Sequence, residues 1–389
     1  MSDPLQALHA HAPAPRQRRR AAPILRGGLA ALASVALAAA LVLPALKLLF
    51  DRSSGSAPAS PEERARSSAR AFLDRYVRPD GRVPRPDQGG DTVSEGVSYA
   101  LLLAEVSGDD RTFGKVWGWA ERNLKGPEGL LAYLWADGQV RDPNPASDGD
   151  LVTAWALMRS GGEYSDDGRR LGAAVLSRET AARGGNLVLA AGPWGTGEPV
   201  TINPSYWAPI AFEQLAERTH DARWTALSDS SVRLTSRLTA GGRTLPPDWA
   251  RIDGDVAVPT PAPNHQAPDV RYGLDAQRLV VWLAASCDPA ARSLAARFWS
   301  KLSRPGRAAA LALTPDGAIA DARRNPVPLV AAAAAAGAAG HPETRDRLLA
   351  RSEQVNAASP TYYGAAWVAL GRALLTTSLL GGCATEAAR

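Results

Sequence analysis

From residue 61 onward, apolar positions recur at helical spacing in about twelve successive segments, and no convincing run alternates polar with apolar as a strand would. The segments are of two kinds. "PEERARSSARAFLDRYV", "DDRTFGKVWGWAERNL", "SDDGRRLGAAVLSRETAAR" and "HPETRDRLLARSEQV" carry charge and read as helices with a wet face. The intervening segments "EGVSYALLLAEV", "DGDLVTAWALM", "NPSYWAPIAFEQL", "DAQRLVVWLAAS", "VPLVAAAAAAGAAG" and "TYYGAAWVALGRALL" are far more apolar. A helix that is apolar on nearly all sides is a buried one. Outer and inner segments alternate six times, which predicts an all-α fold of six helical hairpins closed into a ring, an (α/α)6 barrel. A solenoid of helix pairs would also alternate, but such chains usually show residue-level repeats and an exposed concave face, and no repeat is visible here.

The chain upstream follows another rule. Residues 27 to 46, "GGLAALASVALAAALVLPAL", carry no charge and are long enough to cross a bilayer as a helix. Arg16, Arg18, Arg19, Arg20 and Arg26 precede them, which favours a cytoplasmic N-terminal side. The expected organisation is a basic cytoplasmic leader over 1–26, a transmembrane signal anchor over 27–50, a flexible linker over 51–60 and the helical domain over 61–389, held outside the cytoplasm at the cell membrane. Secretion after cleavage of a signal peptide is the competing reading, although the polar leader is long and the apolar run exceeds a usual signal core.

Composition narrows the chemistry. The formal charge of +5 becomes about neutral without those five arginines, so no nucleic-acid footprint remains. There are 2 cysteines, Cys287 and Cys383, enough for one disulfide that the sequence does not require. With 5 histidines, no HExxH and no Cys/His cluster, a transition-metal site has little support.

The polar groups of the inner segments collect at their starts. Glu95 follows Ser94, Asp148 follows Ser147, Asn203 and Pro204 open the sixth segment, and Asp275 opens the eighth. All inner helices of such a barrel run the same way, so these four starts meet at one mouth. Each acidic residue taken singly is explained by capping: Ser147 with Asp150 three residues on fits a capping-box-like start, and acids in a first turn favour the helix dipole. Asp150 is given that role, and Asn203 before Pro204 is an ordinary helix opening. Capping does not account for 11 tryptophans against 5 phenylalanines. Trp117 and Trp155 lie on helix faces and read as core, whereas Trp135, Trp194 and Trp207 lie in or beside segments leading to the mouth. Indole faces stack on sugar rings while the N–H stays free for hydroxyls. Carboxylates converging beside such platforms suit glycoside hydrolysis.

The stretches "SEGVSYALLLAEVSGDDRTFGKVWGWAERNL", "DPNPASDGDLVTAWALM", "INPSYWAPIAFEQL", "LPPDWA" and "DVRYGLDAQRL" occur in an order that resembles glycoside hydrolase family 8, the bacterial endoglucanases, and within it the cellulose-synthase-associated type. The resemblance spans roughly residues 61 to 380. It implies an (α/α)6 barrel that cuts internal β-1,4 bonds with inversion and needs no metal or organic cofactor. It implies Glu95 as general acid, Asp148 as the central aspartate that holds the sugar at the cleavage point, and Asp275 as general base, with Arg278 its motif partner. Tyr206 would help hold the attacking water. Asn203, Tyr99, Trp135 and Trp194 complete the expected substrate-binding set. An inverting pair stands about 6.5–9.5 Å apart to admit a water, and the acid requires a raised pKa; both are expected of Glu95 with Asp275. Val97 replaces the family's usual glutamine, and Thr153, Ser160 and Tyr164 also depart from it, which puts substrate contacts in question.

The implied partners are a β-1,4-linked polysaccharide, the membrane and a polysaccharide synthase complex, with no nucleic acid. Xylan, mixed-linkage glucan or chitosan are alternative substrates on the same fold, and a non-hydrolytic glycan-binding assembly protein is the alternative class. A terpene cyclase, another (α/α) barrel, would need an aspartate-rich metal motif that is absent.

Overall fold

The computed structural model describes residues 59–263 and 269–383. The leader, anchor and most of the linker expected from the sequence lie outside the described residues. Among the described residues no helix is long and apolar enough to cross a membrane.

Among the described residues twelve α-helices carry the fold: α1 (Pro61–Tyr76), α2 (Ser94–Ser107), α3 (Asp110–Asn123), α4 (Ser147–Ser160), α5 (Ser165–Arg178), α6 (Pro209–Thr219), α7 (Ala222–Leu238), α8 (Leu274–Ala285), α9 (Pro289–Leu302), α10 (Pro326–Ala338), α11 (Pro342–Ala358) and α12 (Tyr362–Thr376). The polarity pattern has its cause in the packing. The even-numbered helices form a closed ring, α2 against α4, then α6, α8, α10, α12 and back to α2, and the odd-numbered helices pack around them. An inner helix has neighbours on every side, so α10, "PVPLVAAAAAAGA", is buried from Pro326 to Ala336. An outer helix has one dry face only, as in α1, where Ala65, Ala69, Phe72, Leu73 and Tyr76 point inward and the charges remain outside. Ser60 and Glu63 form a full capping box at the start of α1.

The two ends of the barrel differ. Connections from an inner to the next outer helix are tight, turning on left-handed residues such as Gly108 and His220. Connections from outer to inner contain every strand described and are long, except for the three residues 359–361 between α11 and α12. β1 (Thr92–Val93), β2 (Leu134–Ala136) and β3 (Gln139–Asp142) form one antiparallel sheet, and β4 (Thr180–Arg183) pairs with β5 (Asn186–Leu189). β6 (Val200–Ile202), β7 (Trp249–Asp253) and β8 (Val256–Thr260) form a third, and β9 (Ala310–Leu313) pairs with β10 (Ile319–Arg324). The all-α expectation missed these strands because each is two to six residues long, too short for alternation to register. Their turns carry the usual signals, with Asp137-Gly138 and Gly184-Gly185 all at positive φ. Ladder β6–β7 joins the α5–α6 connection to the α7–α8 connection, so two separate loops are locked together over the mouth.

Cys287 and Cys383 form a disulfide with Cα atoms 4.9 Å apart. It ties the segment after α12 to the α8–α9 turn, at the end opposite the strands. Closing a loop of 96 residues, it restricts the unfolded chain strongly. Reduction, or Cys287→Ser, is expected to lower unfolding stability by about 2–5 kcal/mol. Activity below the melting transition is expected to stay unchanged, since the bond is remote from the mouth. Thermal melts with and without reductant, paired with rate measurements at 25 °C, check both.

Candidate active site

The mouth is organised by one buried side chain. Arg278, one turn into α8, is 2% exposed. Its Nη1 donates to Glu95 Oε1 at 2.7 Å, Asp148 Oδ2 at 2.8 Å and the Tyr99 hydroxyl at 2.8 Å. Its Nη2 donates to Ser205 Oγ at 2.9 Å and Asp275 Oδ1 at 3.2 Å. One planar fork therefore contacts all three carboxylates, which a lysine ammonium could not do in the same geometry.

Each carboxylate sits in the first turn of an inner helix, Glu95 on α2, Asp148 on α4 and Asp275 on α8. Close approach of α2 and α4 depends on Gly149, where a Cβ would fall 2.4 Å from Ser94 Oγ. That contact brings Glu95 and Asp148 within hydrogen-bonding reach of each other. Burial pushes the Glu95 pKa up, but the Arg278 charge and the Asp148 hydrogen bond outweigh it and hold Glu95 below its usual value. Asp148 moves the other way, well above its usual value, through burial and the negative charge of Glu95. The raised pKa expected of Glu95 thus appears on its partner. Two carboxyls in hydrogen-bond contact titrate as a pair, and the opposite directions of their shifts favour the proton on Asp148.

Asp275 is separate from that pair and a third of its side chain is exposed. Burial raises its pKa, opposed by Arg278, while Glu95 adds to the rise and Asn203 opposes it. Asn203 Nδ2 donates to Asp275 Oδ2 at 2.9 Å. The amide is oriented by its other end, where Oδ1 accepts from Ser205 N at 3.1 Å and Ser205 Oγ at 2.7 Å. Asn203 does not open a long helix as the sequence suggests; it caps a single turn, Pro204–Tyr206, and α6 starts later at Pro209.

The remaining expected residues divide. The Tyr206 ring lies 5.3 Å from the Arg278 guanidinium and 6.0 Å from the Trp249 ring. Trp194 is 47% exposed, donates Nε1–H to Pro145 O, and lies 6.4 Å from Trp249. Tyr206, Trp249 and Trp194 thereby form a continuous aromatic row leading away from Asp275. Tyr99 is buried against Trp367 and bonds Arg278, so it supports the arginine from below. Trp135 is half-buried, with Trp119 edge-on and the Arg82 guanidinium over its ring. Trp207 belongs to the core, its Nε1–H bonded to Leu189 O.

Asp150 is not a cap. Helix α4 starts after Ala146 without a side-chain cap, and Ser147 Oγ instead donates to Ala190 O. Asp150 Oδ1 accepts the Leu131 N–H at 2.8 Å and ties down the α3–α4 connection. It is fully buried, as is Glu179 nearby, and burial pushes both carboxyls well above their usual values. The departures from the family pattern avoid the cleft. Val97 and Thr153 are wholly buried, while Ser160 and Tyr164 stand at the far end of α4, Tyr164 packed on Phe113.

A pocket of about 300 Å³ opens between Glu95 and Asp275, lined also by Arg85, Asn325, Tyr362 and Tyr363. Sequence reasoning named none of these four as site residues, nor Asp248 and Trp249, although the last two lie in the quoted stretch "LPPDWA". Asn325, Tyr362 and Tyr363 lie at the starts of the two remaining inner helices, so the criterion that found Glu95 would have found them. Arg85, paired bidentately with Asp91, has no such signal.

An (α/α)6 barrel that gathers three carboxylates on one guanidinium, beside a row of aromatic rings and an open pocket, is equipped as a glycoside-cleaving enzyme. Comparison with known proteins makes this specific. The model for glycosyl hydrolases family 8 matches residues 59–376. A probable endoglucanase of Novacetimonas hansenii is 32% identical over 245 residues, 59% of this chain and 70% of its own length. An endoglucanase of Xanthomonas axonopodis pv. citri is 33% identical over 272 residues, 65% of this chain and 68% of its own. The solved endo-β-1,4-glucanase CMCax from Acetobacter xylinum superposes with a TM-score of 0.66 at 27% identity, covering 80% of this chain and 97% of that one. The chain belongs to glycosyl hydrolase family 8 and is a glycoside hydrolase of the cellulase type.

Proposed function

We propose that the protein is an inverting endo-β-1,4-glucanase acting on cellulose or a related exopolysaccharide, with Glu95 as general acid and Asp275 as general base. The observation that carries this reading is the division of the three carboxylates by Arg278. Glu95 and Asp148 pair on one side, both bonded to Nη1, and Asp275 stands apart on Nη2, aligned by Asn203 and open to the pocket. Because Glu95 and Asp275 bond the two ends of one rigid guanidinium fork, their bonded oxygens lie at most about 8 Å apart. That ceiling admits the about 6.5–9.5 Å separation of an inverting pair only in its lower half, and the shorter separation of a retaining pair as well, so the anomer of the product decides between them.

The chemistry follows from this arrangement. A glucosyl unit at the cleavage point engages Asp148 through its hydroxyls, which breaks the Asp148–Glu95 hydrogen bond and transfers the shared proton to Glu95. Glu95 then protonates the leaving glycosidic oxygen. Asp275, ionised and steadied by Arg278 and Asn203, takes a proton from the water that attacks the anomeric carbon from the opposite face. Tyr206 borders the position of that water, and the row Tyr206, Trp249, Trp194 offers faces on which successive rings stack.

The 27–46 apolar run is proposed as a membrane anchor that holds the barrel outside the cytoplasm near a polysaccharide synthase. The Cys287–Cys383 disulfide is in keeping with an oxidising compartment.

The test is the release of new reducing ends from soluble β-1,4-glucan, with the anomer of the first product read by NMR. Falling viscosity together with an initial α-anomer is the expected result. A β-anomer would exclude inversion. Turnover of xylan, mixed-linkage glucan or chitosan alone would move the substrate, and binding without turnover would point to an assembly role.

A further inference from the structure

Asp248 lies in the connection before α8, not on the helix, and is 9% exposed. Helix α8 begins after Gly273 with no side-chain cap of its own. Asp248 supplies one from outside: Oδ1 accepts the Gly273 N–H at 2.8 Å and the Ala276 N–H at 2.9 Å, the two residues that bracket Leu274 and Asp275. The Asp248 N–H in turn donates to Arg271 O at 2.9 Å, so this residue bonds three points of the segment 271–276. Gly273 has an ordinary φ of −106°, so it is not glycine for its backbone. It is glycine for space, since a Cβ there would fall 2.3 Å from Asp248 Oδ2. The next residue, Trp249, starts β7, which pairs with β6, and β6 leads directly into Asn203. One small sheet thus holds the Asp275 carboxylate through Asn203 and the backbone around it through Asp248.

We propose that Asp248 is a positioning residue for the general base, fixing the first turn of α8 and with it the direction in which Asp275 meets the attacking water. This rests on the reading of Asp275 as the base. The groups around Asp248 are Asp275 and Arg271, with Arg278 and Glu95 beyond Asp275. Burial and the Asp275 charge push the Asp248 carboxyl up to about 7, against its two backbone hydrogen bonds and Arg271. Below that pH the side chain works as a neutral acceptor, a form that asparagine reproduces.

The experiment compares kcat and KM at pH 6 for the full chain and its Asp248→Asn, Asp248→Ala, Gly273→Ala, Asp248→Ala/Gly273→Ala and Asp275→Asn variants. Misplacing a catalytic group by about 1 Å costs about 10²-fold, so Asp248→Ala is expected to lose about that much in kcat with KM nearly constant. Asp248→Asn restores kcat to within about threefold, on the scale of a retained hydrogen bond. Gly273→Ala, which drives the carboxylate away, lowers kcat, and its effect disappears in the Asp248→Ala background because the clash is gone. The proposal is overturned if Asp248→Ala keeps full kcat, if Asp248→Asn falls as far as Asp248→Ala, or if the two losses simply add. Should Asp248→Ala fail to fold, Asp248→Asn and Gly273→Ala still decide the matter. Retained hydrolysis in Asp275→Asn would instead remove the base reading, leaving the Asp248 results to describe a helix cap alone.

Discussion

Replacing Glu95 by Gln is expected to cut hydrolysis of β-1,4-glucan by about 10²–10⁴-fold, the range that a positioned general acid contributes. The substitution isolates the proton. Glutamine has the same shape, its Oε1 can accept from Arg278 Nη1 as Glu95 does, and its Nε2–H can donate to Asp148. Folding should therefore change little, which a thermal melt checks. Two further readouts separate loss of an acid from a disturbed cleft. Substrates with a leaving group that needs no protonation, such as activated aryl glycosides, should lose far less rate than glucan. If Glu95 is the acid as proposed, the alkaline limb of kcat/KM reports the Glu95–Asp148 pair and should vanish along with the second carboxyl. Residual glucan hydrolysis within about tenfold of the unmodified enzyme would count against Glu95 as the acid, because a positioned proton donor typically contributes about 10²-fold or more.

Much of the ring was visible in polarity because burial differs in kind between the two layers. An inner helix such as α10 is enclosed by neighbours and can be apolar everywhere, while α1 must keep one charged side. Co-directional inner helices then place their first turns together, and that rule alone collects Glu95, Asp148 and Asp275 at one mouth. What was not legible depends on contacts distant in sequence. Asp150 has the spacing of a cap, but whether it caps depends on where the chain enters α4, and that is set by Ser147 bonding Ala190, 43 residues away. The loop position of Trp135 gives no hint that Arg82 and Trp119 occupy its surroundings. The pKa order of Glu95 and Asp148 is decided by Arg278 from a third helix. The strands escaped notice because pairs as short as Val200–Ile202 with Trp249–Asp253 are defined by their partner and not by their own pattern. Asp248 escaped for the same reason, since its importance lies in the backbone of a helix 25 residues later.

Arg278 is where loss of a single side chain should be felt in both stability and rate. Arg278→Met leaves Glu95, Asp148 and Asp275 without their shared cation, and stripping one partner from a buried charge network costs about 3–5 kcal/mol. The deficit should depend on pH with a definite sign. Without Arg278 the folded-state pKa values of Glu95 and Asp275 rise, because the charge that opposed burial is gone. A carboxyl whose folded pKa lies above its unfolded value, about 4, stabilises the fold fully below that value and loses its contribution as pH climbs through the raised one. The variant should therefore melt close to the unmodified protein near pH 4 and fall progressively below it toward pH 7. Arg278→Lys retains a charge but cannot bridge three carboxylates, and should fold with kcat/KM reduced by about 10²-fold or more, the cost of a group misplaced by about 1 Å. Its acid limb should move to higher pH, since a less well placed cation favours the ionised base less. Melting curves across pH and a pH–rate profile measure both effects. A stability deficit that stays constant from pH 4 to pH 7, or an acid limb unmoved in Arg278→Lys, would show that Arg278 acts as a packing element and does not govern how the three carboxylates divide their protons.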